Sequence, residues 1–234
     1  MSLASSVPLD EDSEIELGRP AAARFLAYKW AVALAIAVVG TLIYETIGRF
    51  ELHRSTHLLD TALDRAIPLI PASSWCYQPL YVAIFVLAIF AFRTRRVFHL
   101  GCVCIFANIV VGALGHFFVR AEYPRPILPL PHPDLSTAFL AFVYKIDPPG
   151  NVFPSLHVAH TFVLAFMLEL DRSRWSKTAL VMAILLALST LTTKQHFIAD
   201  VLAGLVMALL ARWWASRQLN RTALLPDPRR PSPA

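Results

Sequence analysis

The sequence predicts an all-α integral membrane protein, a bundle of six transmembrane helices with interfacial helices on the extracytoplasmic side. Three observations predict it. The 234 residues are 56% hydrophobic and only 16% charged, whereas a soluble domain carries about a quarter charged residues. The mean hydropathy is +0.55. The apolar residues fall into six runs of about 20 residues, the length a helix needs to cross a hydrocarbon core of about 30 Å.

Residues 1–27 form a polar tail in which Asp10, Glu11, Asp12, Glu14 and Glu16 cluster, expected to be solvated. That acidic start also argues against a cleavable signal peptide. The first span is expected at 28–47. Over 51–66, apolar and charged positions alternate at helical spacing, as in a helix lying on the membrane surface. Pro68 and Pro71 end it. The second span, 74–92, is closed by Arg93, Arg95 and Arg96, and the third covers 97–119. The proline-rich stretch 120–150 holds a second interfacial helix or lid, with Asp134 as its N-cap candidate. Spans four to six are expected at 153–170, 177–193 and 196–215. A membrane catalytic domain over 28–216 then lies between the first tail and a disordered tail at 217–234.

Lys and Arg divide 14 to 7 between the two faces of this arrangement, which puts both termini in the cytoplasm. The formal charge of +5 is scattered over short loops, so topology accounts for it and no nucleic-acid partner is expected. The bilayer itself is the expected partner. Cys76, Cys102 and Cys104 sit inside apolar runs as packing residues. Short loops and Ala/Arg-rich usage point to a bacterial inner membrane, with the outer face toward the periplasm.

Two stretches, 151–157 and 194–200, place ionisable groups at the ends of apolar runs. Such groups are costly to bury near hydrocarbon without partners and mark function. His157 opens span four and His196 opens span six, so two crossings separate them and both reach the outer face. Arg120 and Arg125 leave span three at that same face. The chemistry that fits is phosphoryl transfer, which needs fixed cations and donors around the equatorial oxygens. Arg125, Arg120 and Lys194 supply positive charge. Pro154 is expected in the first turn of span four, where free N–H groups and the Ser155 hydroxyl form an anion site.

His196 and Asp200 are four apart and share a helix face. The carboxylate would accept one imidazole N–H while the other nitrogen attacks phosphorus. His157, across the pocket, would protonate the departing alkoxide. Singly, these residues read as ordinary caps or helix-start ion pairs; jointly, with the shared face, the catalytic reading is preferred. His53, His57, His99, His116 and His132 are expected to be packed or interfacial, and His160 shares the face of His157.

The stretch Phe153-Pro154-Ser155-Leu156-His157 resembles the second signature of the type 2 phosphatidic acid phosphatase superfamily. His196 with Asp200 resembles its third, and Arg125-Pro126 the end of its first. The resemblance implies a six-helix membrane phosphatase or phosphotransferase working through a phosphohistidine, without a metal or other cofactor. It makes His196 the nucleophile, Asp200 its partner, His157 the acid, and Ser155 and Arg125 phosphate binders. The sequence departs from the pattern at Phe118, where the first signature has lysine, and at Thr190, where the third has arginine. Lys194 and Arg120 are the expected replacements. Leu156 makes the second signature similar to the inositol phosphorylceramide synthase branch, whose members move a phosphorylated head group between lipids.

The expected activity is therefore cleavage of a phosphate ester or diphosphate of a membrane lipid at the extracytoplasmic face. Transfer of a head group such as phosphoinositol to a lipid alcohol is the alternative. A transporter or structural protein ranks third, because the spans are mostly unbroken and the polar residues gather at one face.

Overall fold

Short polar caps and proline breaks divide the chain into helices. The computed structural model describes residues 19–51, 58–128, 133–147 and 149–223. They form α1 (Arg19–Glu51), α2 (Ala62–Ala66), α3 (Ser74–Ala91), α4 (Arg95–Val119), α5 (Leu135–Ile146), α6 (Leu156–Leu170), α7 (Ser176–Thr192) and α8 (Ile198–Ala223). Thr94, Asp134 and Ser155 cap α4, α5 and α6 by accepting the N–H groups of Val97, Thr137 and Val158. Thr61 and Asp64 form a reciprocal capping box on α2.

Four helices are long and apolar enough to cross a bilayer, over Ala21–Ile47, Pro71–Ala91, Arg95–Val119 and Ile198–Arg221. α6 and α7 have 15 and 17 residues. At 1.5 Å per residue they span about 22 and 26 Å, short of a hydrocarbon core of about 30 Å. The reason is local. The apolar run starting at 153 enters through a bend at Phe153 and Pro154 up to the Ser155 cap, and Asp171 ends the helix. α6 also packs on α3, α4, α7 and α8, and ten of its residues are buried. A helix walled by protein need not match the bilayer.

Further boundaries differ from expectation. α1 starts at Arg19, ahead of 28, and α8 runs to Ala223, past 216. The rest of both tails, His53, His57 and His132 lie outside the described residues. Of the 51–66 stretch, Glu51 ends α1 and the described residues 58–66 form only the short α2.

The long helices alternate in direction, so the ends of α1, α4 and α7 meet the starts of α3, α6 and α8. At that end, the Asn151 amide donates to the Tyr44 carbonyl of α1 at 3.1 Å. The Ser155 N–H donates to the Asp200 carbonyl of α8 at 3.1 Å. At the opposite end, Asp171 accepts the Thr94 hydroxyl at 2.6 Å, and the Lys29 ammonium donates to the Phe92 carbonyl at 2.9 Å. The core between is apolar and small, with Val158, Val163 and Met167 of α6 against Ala179 and Ala183 of α7 and Ala208 of α8. Small residues let helices approach closely where lipid offers no hydrophobic drive.

Candidate active site

The segment entering α6 is shaped by its neighbours' lack of side chains. A Cβ on Gly115 of α4 would fall 2.4 Å from Pro154 Cδ, and one on Gly204 of α8 would fall 2.5 Å from the Ser155 carbonyl oxygen. Asn151 adopts a left-handed conformation, φ 58°, which Asn tolerates better than most residues. Pro154 precedes the Ser155 cap and is not in the helix's first turn as expected; that turn is made by Leu156, His157 and Val158. The Ser155 hydroxyl caps α6 from a fully buried position, outside the lining of the site cavity.

His196 is presented by the turn between α7 and α8. Lys194 reverses the chain at φ 56°, and the Thr190 carbonyl accepts the N–H groups of both Gln195 and His196. The His196 ring lies 3.0 Å from the Val152 carbonyl through Nδ1. A carbonyl only accepts, so Nδ1 carries the proton and Nε2 is left for chemistry. The Asp200 carboxylate stands 3.5 Å from the same Nδ1 while accepting the Phe197 N–H at 2.7 Å. The tight imidazole bond expected to Asp200 is therefore made to Val152, with the carboxylate beside it. The His157 and His196 ring centroids are 5.9 Å apart.

Arg125 bridges two loops. It donates to the Lys194 carbonyl at 2.6 Å and the Asp147 carbonyl at 3.1 Å, and its guanidinium lies over the Tyr144 ring at 4.9 Å. Lys194 itself turns away. Its ammonium donates to the carbonyls of Asp64 and Ile67 at 2.9 and 2.6 Å, tying the α2 segment beneath the turn that presents His196. Burial lowers the affinity of this amine for its proton, outweighing the attraction of Asp64 and Asp60. Arg120 caps α4 with φ 51° and lies outside the cavity lining. Phe118 is 71% exposed on the outer surface, and Thr190 is fully buried with its hydroxyl on the Ala187 carbonyl.

Of the expected site residues, His157, His196 and Arg125 face one cavity of about 760 Å³, and Asp200 backs His196. The cavity runs between α1, α3, α4 and α6, from these groups down to Trp30 and Phe98. Along α1 from Tyr44 to Trp30 that is about 21 Å at 1.5 Å per residue. Leu34, Val82, Phe85, Ile105 and Leu164 are among its apolar walls.

Sequence reasoning missed a second layer. The Asp147 carboxylate, at the end of α5, accepts the Tyr77 hydroxyl at 2.6 Å and the Tyr44 hydroxyl at 2.9 Å. The Tyr77 oxygen is 3.2 and 3.1 Å from the two ring nitrogens of His157, and Tyr81 bonds His160 at 3.1 Å. Burial alone would raise the Asp147 carboxyl. His157, the Tyr77 hydroxyl and Arg125 together hold it below its ordinary value. Asp64 was missed too; its carboxylate accepts the first N–H of α8, from Ile198, at 2.7 Å. The available signal was Tyr77 and Tyr81, four apart where a span begins at the same face as His157.

Helices able to cross a bilayer, with paired imidazoles and a guanidinium at one end of an apolar cavity, define the class as an integral membrane protein with a polar site at its helix ends. The family model of the PAP2 superfamily matches residues 96–223, more than half of the chain. The protein therefore belongs to that superfamily, whose members are phosphoesterases and phosphotransferases. No curated protein and no solved structure matches it. The matched region holds Arg125, His157, His196 and Asp200 and leaves α1 to α3, with Tyr44, Tyr77 and Tyr81, upstream of it.

Proposed function

We propose that the protein is a lipid phosphate phosphatase that cleaves a phosphate ester or diphosphate of a membrane lipid through a phosphohistidine on His196. One observation carries this reading: the facing rings of His157 and His196, 5.9 Å apart, stand with Arg125 at the head of a cavity whose remaining length is apolar. The polar end suits a phosphate and the apolar length suits a hydrocarbon chain.

In the proposed reaction His196 Nε2 attacks phosphorus. The bond from phosphorus to the lipid oxygen breaks, and that oxygen takes a proton from His157. Water then gives a proton to His157 as its oxygen attacks, the P–N bond breaks, and phosphate leaves. Arg125 holds the equatorial oxygens, while Asp200 stabilises the charge that His196 acquires. Ser155 and Lys194 act behind these groups, Ser155 by capping the helix of His157 and Lys194 by fixing the turn of His196 and offering its carbonyl to Arg125. In this reading Arg120, at the end of α4, draws anionic head groups toward the cavity by its charge. The bundle crosses the membrane six times in this reading, with α2 and α5 at the interface and the site facing the periplasm of a bacterial inner membrane.

A lipid alcohol in place of water gives the phosphotransferase reading, which Leu156 in the second signature favours. The full chain in detergent, incubated with a radiolabelled lipid phosphate and acid-quenched against alkali-quenched, tests both. The expected result is an alkali-stable, acid-labile phosphoprotein that vanishes in His196→Ala and under vanadate. Turnover undiminished in His196→Ala would overturn the proposal, and a phosphorylated lipid formed only when an acceptor alcohol is added would favour transfer.

A further inference from the structure

We propose that Asp147, acting through the Tyr77 hydroxyl, is a positioning residue that keeps His157 in its proton-donating form. The inference rests on the phosphohistidine reading above and adds to it a residue pair outside the family's signatures. Tyr77 lies upstream of the matched region altogether.

The geometry begins with one proton. Tyr77 has a single hydroxyl hydrogen, and the 2.6 Å contact to Asp147 accounts for it, since an ionised carboxylate can only accept. The lone pairs of that oxygen then turn to His157, whose two nitrogens lie at nearly equal distances, 3.2 and 3.1 Å. A neutral ring can offer this oxygen one N–H as well, so what favours the protonated ring is the negative carboxylate that the hydroxyl joins to it. The Tyr44 hydroxyl occupies the other carboxylate oxygen at 2.9 Å, so Asp147 is fixed from α1 and α3 at once. Its carboxyl, held below its ordinary value, is an anion at neutral pH.

The other groups facing His157 press the opposite way or are neutral. Burial is the largest influence against a charge on this ring, and His196 from the α7–α8 turn and Arg125 from the segment after α4 oppose it as well. His116 of α4 and His160 of its own helix share the same field. Tyr81 of α3 contributes a ring face at 4.5 Å. Among these groups only Asp147 is an anion. Without it, a general acid beside a guanidinium and a reacting imidazole would lose its proton before the lipid oxygen needed one.

In the balanced step, the proton on His157 passes to the lipid oxygen as the bond from phosphorus to that oxygen breaks. The proton returns when water or an alcohol attacks the phosphohistidine. Asp147 and Tyr77 exchange no proton with the substrate. Their effect must therefore depend on how badly the leaving oxygen needs protonation.

The test compares a long-chain alkyl phosphate with an aryl phosphate bearing the same chain, in mixed micelles with the full-length protein. Tyr77→Phe and Asp147→Asn should slow the alkyl substrate roughly 10- to 100-fold, a part of the usual general-acid contribution, and leave the aryl substrate within about threefold. In Asp147→Asn the alkaline limb of the alkyl rate should move to lower pH. Tyr77→Phe keeps the ring and its packing, so it remains informative if Asp147→Asn does not fold. Equal slowing of both substrates, or no slowing of either, with His196→Ala still inactive, would overturn this proposal and leave the phosphohistidine reading intact. Wild-type turnover unchanged in His196→Ala would overturn both.

Discussion

His196 donates its Nδ1–H to the Val152 carbonyl at 3.0 Å, with Asp200 at 3.5 Å, and this division of labour has a kinetic consequence. Where a carboxylate alone fixes a histidine tautomer, replacing it by an amide costs about 10⁴-fold. Here a main-chain carbonyl fixes the tautomer, so Asp200→Asn should lose only charge stabilisation. The expected loss in turnover is about 10²-fold, well short of that figure, as measured by steady-state hydrolysis. Arg125→Lys should lower the thermal midpoint in detergent and weaken vanadate inhibition, because a point charge cannot bridge the Lys194 and Asp147 carbonyls together. His157, His196 and Arg125 were legible because motif spacing and helix parity fix where they stand. The direction of Lys194 was not. A left-handed turn and two carbonyls of the α2 segment decide it, and neither is written in the local sequence. Asp147 and Tyr77 belong to different elements and meet only in the fold.

Among the helices, α8 depends on contacts at its first turns. Gly204→Ala would set a methyl 2.5 Å from the Ser155 carbonyl, forcing α8 away from the start of α6. The expected cost is about 1–3 kcal/mol, read as a lower thermal midpoint, with loss of activity because His157 moves. Gly40→Ala is the contrast. Its methyl meets only the end of the flexible Ile109 side chain, at 2.9 Å, and both readouts should stay near wild type.

Asp64 gives α8 a pH dependence. Burial works against its ionisation, but the Thr61 hydroxyl and the Ile198 and Thr61 N–H groups outweigh it, so its carboxyl is lowered in the folded chain. Its stabilisation is thus complete above the unfolded value of about 3.9 and is lost as pH falls through the lower folded value. Asp64→Asn should lower the thermal midpoint at neutral pH and flatten its decline below about pH 4. The existence of α4, α6, α7 and α8 could be read from hydropathy. The shortness of α6 could not, since apolar residues in the bend before Ser155 count the same as helical ones.

For the whole molecule, alternation of the long helices gathers His157, His196 and Arg125 at one end, and the proposed topology, drawn from the Lys and Arg distribution, turns that end away from the cytoplasm. Single cysteines in a background lacking Cys76, Cys102 and Cys104 check this in intact cells. Ile127→Cys, at a residue 99% exposed beside the site, should react with an impermeant maleimide. Arg174→Cys, at the opposite end, should react only after lysis. Labelling in the reverse sense would place the site in the cytoplasm.

The main-chain bond from Ser155 to the Asp200 carbonyl reaches beyond packing. It staples the first turn of α8, just after the turn that presents His196, to the cap of the helix bearing His157 without using any side chain, so the gap between the two imidazoles is a property of the scaffold. The walls of the apolar cleft can then be rewritten to suit a different lipid tail while the reacting distance stays as it is.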